Sequence, residues 1–128
     1  MNKHKEPSVV LAIDDEPIVQ ETFKAVLKGH FKVLTAGNGQ EALDKIARYS
    51  INLIFLDINI AGMNGIDLLR KIKEYDKNLP VIVVTGIENE ILEKEVVKLG
   101  GCGYINKPFE LSELIGLAHK AINREETK

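Results

Sequence analysis

Polar side chains follow the ends of four short apolar stretches in this chain of 128 residues. In chain order these side chains are Asp14 and Asp15, Asp57, Thr85 and Lys107. Three carboxylates in one pocket repel one another unless a cation is present. An oxygen-lined pocket with few protein ligands suits Mg²⁺, which keeps several waters and bridges to phosphate. If the fold brings these groups together, the chemistry they favour is metal-assisted transfer of a phosphoryl group.

Asp57 is the candidate nucleophile, because a carboxylate attacks a phosphoryl group to form an acyl phosphate. A metal ion and a nearby ammonium would neutralise the equatorial oxygens of the transferred group. Lys107 could supply the ammonium and Thr85 a hydroxyl donor. Each residue alone has an ordinary alternative, since an Asp can cap a helix, a Thr can end a strand and a Lys can pair with an acid. Only their convergence at one edge of the fold favours a site.

These four stretches and a fifth, from Phe31 to Ala36, are predicted to be β-strands that alternate with five α-helices. The residues from Leu53 to Leu56 are all apolar, which is typical of a strand covered on both faces of a parallel sheet. The stretch from Phe31 to Ala36 includes Lys32 and Thr35, so we predict a strand at the sheet edge. We therefore predict an α/β fold with a doubly wound, five-stranded parallel sheet in the flavodoxin-like order 2-1-3-4-5 and helices on both faces.

The composition indicates one ordinary globular domain, with 45% hydrophobic residues, 28% charged residues and a net charge of −2. Lysines and acids are interspersed, so we expect this domain to bind neither nucleic acid nor a membrane surface. No apolar run approaches the roughly 18 residues of a membrane span, and we expect a cytoplasmic protein. Cys102 is expected to be a small buried residue. We expect His4, His30 and His119 on the surface, with no spacing that brings them together as ligands.

The helix after the first strand begins at Asp14-Asp15-Glu16-Pro17, where Asp15 or Glu16 could cap it and Pro suits its first turn. This segment is one of four that resemble the receiver domain of two-component response regulators. The other three are Leu-Asp-Ile-Asn-Ile-Ala-Gly-Met-Asn-Gly around Asp57, Val-Thr-Gly around Thr85, and Tyr-Ile-Asn-Lys-Pro-Phe around Lys107. The resemblance covers about residues 8–123, which we expect to be the receiver domain, with a flexible segment at 1–7 and a charged tail at 124–128.

The resemblance implies that Asp57 accepts a phosphoryl group from a phosphohistidine donor. It implies Mg²⁺ as the cofactor, with Mn²⁺ as an alternative, and a set of metal ligands: Asp15 directly, Asp14 mostly through water, Asp57, and the backbone carbonyl of Asn59. The donor would be a histidine kinase or a phosphotransfer protein. The chain would catalyse its own phosphorylation and slow dephosphorylation, and would be a switch instead of a turnover enzyme.

The resemblance also implies how the switch works. Thr85 would move toward the phosphoryl group and Tyr104 would turn inward behind it. These movements change the surface formed by helix 4, strand 5 and helix 5, which would bind an unknown downstream effector or output domain. The Lys107–Pro108 bond is expected to be cis. We expect a monomer or a weak, phosphorylation-dependent dimer.

Several positions depart from the common pattern of the family. Gly62 stands where Pro is usual, which predicts a more mobile loop, and Gly86 replaces the commoner Ala. The segment from Gly101 to Gly103 lacks an acidic pair found in regulators that dimerise through helix 4, strand 5 and helix 5, which argues against that dimer. Asn59 and Ile87 occupy positions that tune the lifetime of the acyl phosphate. Because Ile87 is apolar, we expect it to hinder attacking water and to give a moderately long-lived phosphoryl state.

Other functions remain open at this level. A Mg²⁺-dependent phosphatase with an aspartyl nucleophile typically has a second Asp two residues later, where this chain has Asn59. A receiver-like scaffold that works without phosphorylation predicts that Asp57→Asn is silent. A flavodoxin-like cofactor carrier is disfavoured by the acidic pair after strand 1.

Overall fold

The computed structural model describes residues 7–60, 64–86 and 89–126, with side chains up to residue 123. Predictions for the N-terminal segment 1–6, for Gly62, for Ile87 and for the side chains of the tail 124–128 lie outside these residues. Among the described helices, none has both the length and the apolar character needed to cross a membrane.

Five parallel strands form one sheet in the order β2-β1-β3-β4-β5, which confirms the predicted α/β class and strand order. The strands are β1 Val9–Ile13, β2 Lys32–Ala36, β3 Leu53–Asp57, β4 Val81–Thr85 and β5 Gly103–Asn106. Every residue of β3 and β4 is buried, because both strands are central and covered on both faces. The edge position predicted for β2 is also confirmed, although the strand begins at Lys32 and not at Phe31.

Five helices cover the two faces of the sheet: α1 Pro17–Leu27, α2 Gly39–Arg48, α3 Gly65–Tyr75, α4 Glu90–Lys98 and α5 Leu111–Glu126. Successive side chains of a strand point to opposite faces, so each strand contributes to two cores. In β3, Phe55 packs with residues of α1 and α5, while Leu56 packs with residues of α2, α3 and α4. Full burial of one such side chain contributes about 1.5–3 kcal/mol to folding. The two cores fix the strands whose ends carry the polar residues.

The helices that follow β2, β3 and β4 begin with an asparagine cap, and α1 does not. The side chains of Asn38, Asn64 and Asn89 accept hydrogen bonds from backbone N–H groups in the first turns of α2, α3 and α4. The prediction that Asp15 or Glu16 caps α1 is wrong. Glu16 occupies the cap position, yet among the described contacts its side chain makes no capping hydrogen bond. The acids after β1 are therefore not engaged in capping the helix.

Two further expectations about single side chains are wrong. Cys102 is exposed because it lies in the connection just before β5, where its backbone N–H donates to the Val81 carbonyl at 2.9 Å. His30 and His119 are exposed as expected, but they do come together, with Nδ1 of His30 3.1 Å from Nε2 of His119. The turn after α1 packs beside α5, and sequence spacing does not reveal this contact.

Candidate phosphoryl-transfer site

The carboxyl ends of four neighbouring strands bring the predicted polar residues to one edge of the sheet. Asp14 follows β1, Asp57 and Thr85 are the last residues of β3 and β4, and Lys107 follows β5. The backbone ties these ends together, since the Lys107 N–H donates to the Thr85 carbonyl at 2.7 Å. In open α/β sheets, ligands bind beyond this edge.

Lys107 joins two buried carboxylates. Its Nζ lies 3.1 Å from Oδ2 of Asp14 and 3.3 Å from Oδ2 of Asp57. The carboxylates are almost inaccessible, with Asp14 1% and Asp57 6% exposed, whereas the Lys107 side chain is 24% exposed. Two buried anions next to each other need a counter-charge, and Lys107 provides it.

Backbone N–H groups hold the other oxygen of each carboxylate. Oδ1 of Asp14 accepts a hydrogen bond from the Glu16 N–H at 2.9 Å, and Oδ1 of Asp57 accepts one from the Asn59 N–H at 3.0 Å. Each carboxylate is thus held on one side by the chain that follows it and on the other side by Lys107. The three side chains have their positions fixed before any ligand arrives.

Burial and the neighbouring charges shift the proton affinities of this cluster. Burial raises the pKa of Asp14 above its usual 3.8, and the charge of Asp57 adds to this, although the Glu16 N–H and Lys107 act in the opposite direction. For Lys107, burial lowers the pKa, but the hydrogen bonds and charges of Asp14 and Asp57 outweigh it and raise the pKa above 10.5. Lys107 therefore stays an ammonium at neutral pH.

A cation would find its ligands on the solvent side of Asp14. Carboxylate oxygens of Asp14, Asp15 and Glu16 lie within 4.8 Å of one another, and the last two side chains are exposed. Glu16 was not anticipated as part of this group. The donors are all carboxylate oxygens, which fits a hard divalent cation such as Mg²⁺. Asp57 is linked to the group through Lys107, which bonds both it and Asp14.

The remaining predicted residues have different surroundings. Thr85 is fully buried, Asn59 is exposed, and Tyr104 is partly buried against the core under α3 and α4. The ligand role of the Asn59 carbonyl and the switch roles of Thr85 and Tyr104 stay predictions. The Lys107–Pro108 peptide bond is cis, as the resemblance implied.

Gln20 is a residue of the site that the sequence analysis missed. Its Nε2 donates to the backbone carbonyl of Asp14 at 2.7 Å, from one turn along α1. The bond fixes the chain at the point where the acids leave β1. In the sequence, Gln20 is one polar residue of an amphipathic helix, and nothing distinguishes it from its solvated neighbours.

A groove opens beside Lys107 between α1 and the segment after β5. It encloses about 430 Å³ and is lined by Val19, Thr22, Lys107, Pro108 and Phe109. Ile18, which precedes Val19 in α1, is 74% exposed, although it is a large apolar side chain. An apolar surface directly beside a charged site is suited to contact with another protein.

Both the sequence and the structure of this chain match those of known proteins. A family profile described as "Response regulator receiver domain" matches residues 10–119. The aerobic respiration control protein ArcA of Escherichia coli K12 is 32% identical over 116 residues, which are 90% of this chain and 48% of ArcA. The cell cycle transcriptional regulator CtrA of Caulobacter vibrioides NA1000 is 35% identical over 117 residues, which are 90% of this chain and 50% of CtrA. The chain thus spans about half the length of these curated relatives.

Solved structures match over nearly the whole chain. A CheY-like response regulator receiver domain protein from Methanospirillum hungatei JF-1 superposes with a TM-score of 0.91 at 25% identity, covering 95% of this chain and 98% of that one. The receiver domain of NtrX from Brucella abortus superposes with a TM-score of 0.84 at 30% identity, covering 89% of this chain and 98% of that one.

Proposed function

The chain belongs to the response regulator receiver domain family, and we propose that it takes a phosphoryl group onto Asp57 from a phosphohistidine donor and acts as a switch in a two-component or phosphorelay system. The observation that carries this proposal is the cluster in which Lys107 bonds the buried carboxylates of Asp14 and Asp57. We propose residues 8–123 as the unit with this function.

In the proposed reaction, a carboxylate oxygen of Asp57 attacks phosphorus. The P–O bond forms as the P–N bond to the donor imidazole breaks, and the imidazole keeps the bonding electron pair. The hydrogen bond from the Asn59 N–H to Oδ1 orients the carboxylate and favours Oδ2 as the attacking oxygen. Oδ2 is the oxygen that Lys107 contacts at 3.3 Å, so the ammonium lies beside the bond that forms.

The cation site of this proposal comprises Asp14, Asp15, Asp57 and the Asn59 carbonyl. When Mg²⁺ is bound, it supplies positive charge for the phosphoryl oxygens. The grouping of carboxylate oxygens at Asp14, Asp15 and Glu16 supports the proposal, because their repulsion makes cation binding favourable. Gln20 keeps the Asp14 backbone in place while the side chain binds.

We assign the donor to the groove beside Lys107. The apolar surface of Val19 and Phe109, together with the exposed side chain of Ile18 on α1, could pack against a helix that carries the phosphohistidine. Such a helix would present its imidazole at the edge where Asp57 lies. A histidine kinase or a phosphotransfer protein would provide this helix.

The output of the proposed switch is the surface of α4, β5 and α5. Thr85 would turn toward the phosphoryl group from the end of β4, and Tyr104 in β5 would follow inward. Exposed apolar side chains of α4 and α5 support a binding role for this surface: Ile91 is 80%, Val97 64% and Leu111 55% exposed. The effector that binds there would read the change in this surface.

The proposal is tested by incubating the protein with a small phosphoramidate and Mg²⁺ and measuring its intact mass. We expect one phosphoryl group per chain, its loss in Asp57→Asn, and no incorporation with a chelator. Asp67→Asn is the matched control, because Asp67 is an exposed acid paired with Arg70 on α3. Incorporation that persists in Asp57→Asn would refute the assignment, and repeated turnover of phosphomonoesters would favour a phosphatase instead.

A further inference from the structure

Two imidazoles meet at the edge of the sheet opposite to Asp57. His30 lies in the turn before β2, and its Nδ1 is 3.1 Å from Nε2 of His119 on α5. The ring centroids are 5.2 Å apart with an interplanar angle of 74°. Both side chains are exposed, so solvent reaches the pair.

Two features hold the imidazole rings in place: the ring of Phe31, which packs against both, and the backbone of the turn that carries His30. The Phe31 ring is 8% exposed, and its centroid lies 4.9 Å from that of His119 and 6.2 Å from that of His30. Gly29, with φ +92°, allows the turn, and the His30 N–H donates to the Leu27 carbonyl at 2.9 Å. The close approach of the rings is therefore part of the fold.

We propose that His30 and His119 form a binding site for a divalent transition-metal ion such as Zn²⁺ or Cu²⁺. Bonds of about 2.0–2.1 Å from a metal to two nitrogens that are 3.1 Å apart enclose an angle of about 95–100°. This angle lies between the roughly 90° of a square-planar site and the roughly 109° of a tetrahedral one. The nitrogens already have the separation of two neighbouring ligands on one ion.

Binding needs a change of tautomer and a rotation of each ring that turns its lone pair from the facing nitrogen toward the ion. The ring that now donates the hydrogen bond would carry its proton on its outer nitrogen, so both facing nitrogens would direct a lone pair at the ion. Neutral rings release no proton in this step. Within residues 7–60, 64–86 and 89–123, no third His, Cys, Asp or Glu joins the pair as a ligand group. We expect water to complete the coordination.

The ligands of this site differ from those of the acidic edge, the carboxyl end of the sheet that carries Asp14, Asp15 and Asp57. Imidazole suits Zn²⁺, Cu²⁺ and Ni²⁺, whereas carboxylates suit Mg²⁺. The two histidines are 89 residues apart in sequence, so only the folded chain presents them together. An ion bound here would tie the turn after α1 to α5 and would stabilise the folded state.

The test is a calorimetric titration of the protein with Zn²⁺ in excess Mg²⁺, which occupies the acidic edge. The variants are His30→Ala, His119→Ala and the double variant, and the matched control is His4→Ala, which removes the third histidine. We expect one ion per wild-type chain and an affinity at least about tenfold lower in each single variant, since even the loss of an outer partner of a metal ligand costs about 10–100-fold. The double variant should bind no better than the single ones.

Thermal unfolding and NMR test the same metal site independently of calorimetry. Zn²⁺ should raise the unfolding temperature of the wild type and of His4→Ala, but not of the His30 or His119 variants. Imidazole NMR resonances of both His30 and His119 should shift with the same Zn²⁺ dependence. Wild-type affinity in His30→Ala or His119→Ala, or an effect confined to His4→Ala, would overturn the proposal.

Discussion

Replacing Lys107 with Met should change two properties of the site in opposite directions. Met keeps an unbranched apolar chain and removes the charge that now lies 3.1 Å and 3.3 Å from the carboxylates of Asp14 and Asp57. The cluster then has two buried anions and no cation. We expect tighter binding of Mg²⁺ and slower phosphorylation.

The size of each effect follows from the contacts of Lys107. One unit charge about 4 Å from another is worth about 1 kcal/mol in water and about 4 kcal/mol at an effective dielectric constant of 20. The Lys107 side chain is 24% exposed, so its environment lies between these limits. A doubly charged ion that no longer competes with the ammonium should gain at least about 1.4 kcal/mol, or tenfold in affinity.

The phosphorylation rate should fall by about 10²–10³ if Lys107 has the proposed role of donating to the charge that develops on the phosphoryl group. Mg²⁺ affinity is measured by calorimetry without a phosphodonor, and phosphorylation by intact mass at saturating Mg²⁺. Lys71→Met, which removes an exposed lysine of α3, is the control and should leave both quantities unchanged. If Lys107→Met weakened Mg²⁺ binding, or left the phosphorylation rate at the wild-type value, the electrostatic reasoning would be wrong.

Three other substitutions test the support of the site and the stability of the fold. Gly65→Ala should lower the free energy of unfolding, measured in urea, by about 3 kcal/mol, because the new Cβ would lie 2.3 Å from the backbone oxygen of Ile58. The control is Gly116→Ala, which should be neutral or stabilising because a Cβ there has nothing within 4 Å. Gln20→Ala should weaken Mg²⁺ binding by about fivefold, the equivalent of one hydrogen bond of about 1 kcal/mol, with equal loss in Gln20→Leu; unchanged affinity would exclude a positioning role. A hydrogen bond from the Gly37 backbone N–H lowers the pKa of Glu41 below the usual 4.5. The Glu41 carboxylate therefore stabilises the folded state above pH 4.5, and this stabilisation is lost as the pH falls through the pKa of the folded state. Because Glu41 is 45% exposed, Glu41→Gln should cost less than about 1 kcal/mol at pH 7 and nothing in acid, and a difference that grew in acid would contradict this sign.

The sequence predicts the strand order and the meeting of Asp14, Asp57 and Lys107 because both follow from local patterns along the chain. Apolar runs mark the strands, and right-handed connections between parallel strands place their carboxyl ends together. The pairing of His30 with His119 follows no such pattern, because it depends on how a turn packs against a helix 89 residues away.

Local chemistry was equally hard to predict where two outcomes have similar energies. An acid before a helix can cap it or leave it uncapped, and Glu16 leaves α1 uncapped. The side chain of a single cysteine between glycines can be buried or exposed, and that of Cys102 is exposed. Such choices are decided by contacts that form only in the folded protein.

The charges of the site also set an order of events. Asp14, Asp15, Glu16 and Asp57 contribute four carboxylates against the one ammonium of Lys107. A phosphoryl donor is itself an anion, and like charges at short range repel strongly where water is excluded. We therefore expect the cation to bind before the donor, since its two positive charges offset most of the net negative charge that the donor would otherwise meet. In initial-rate measurements with varied Mg²⁺ and phosphoramidate, Mg²⁺ should lower the concentration of phosphoramidate that gives half of the maximal rate. A donor affinity that is independent of Mg²⁺ would mean that Lys107 alone overcomes the repulsion, and the proposed role of the acidic edge would then be wrong.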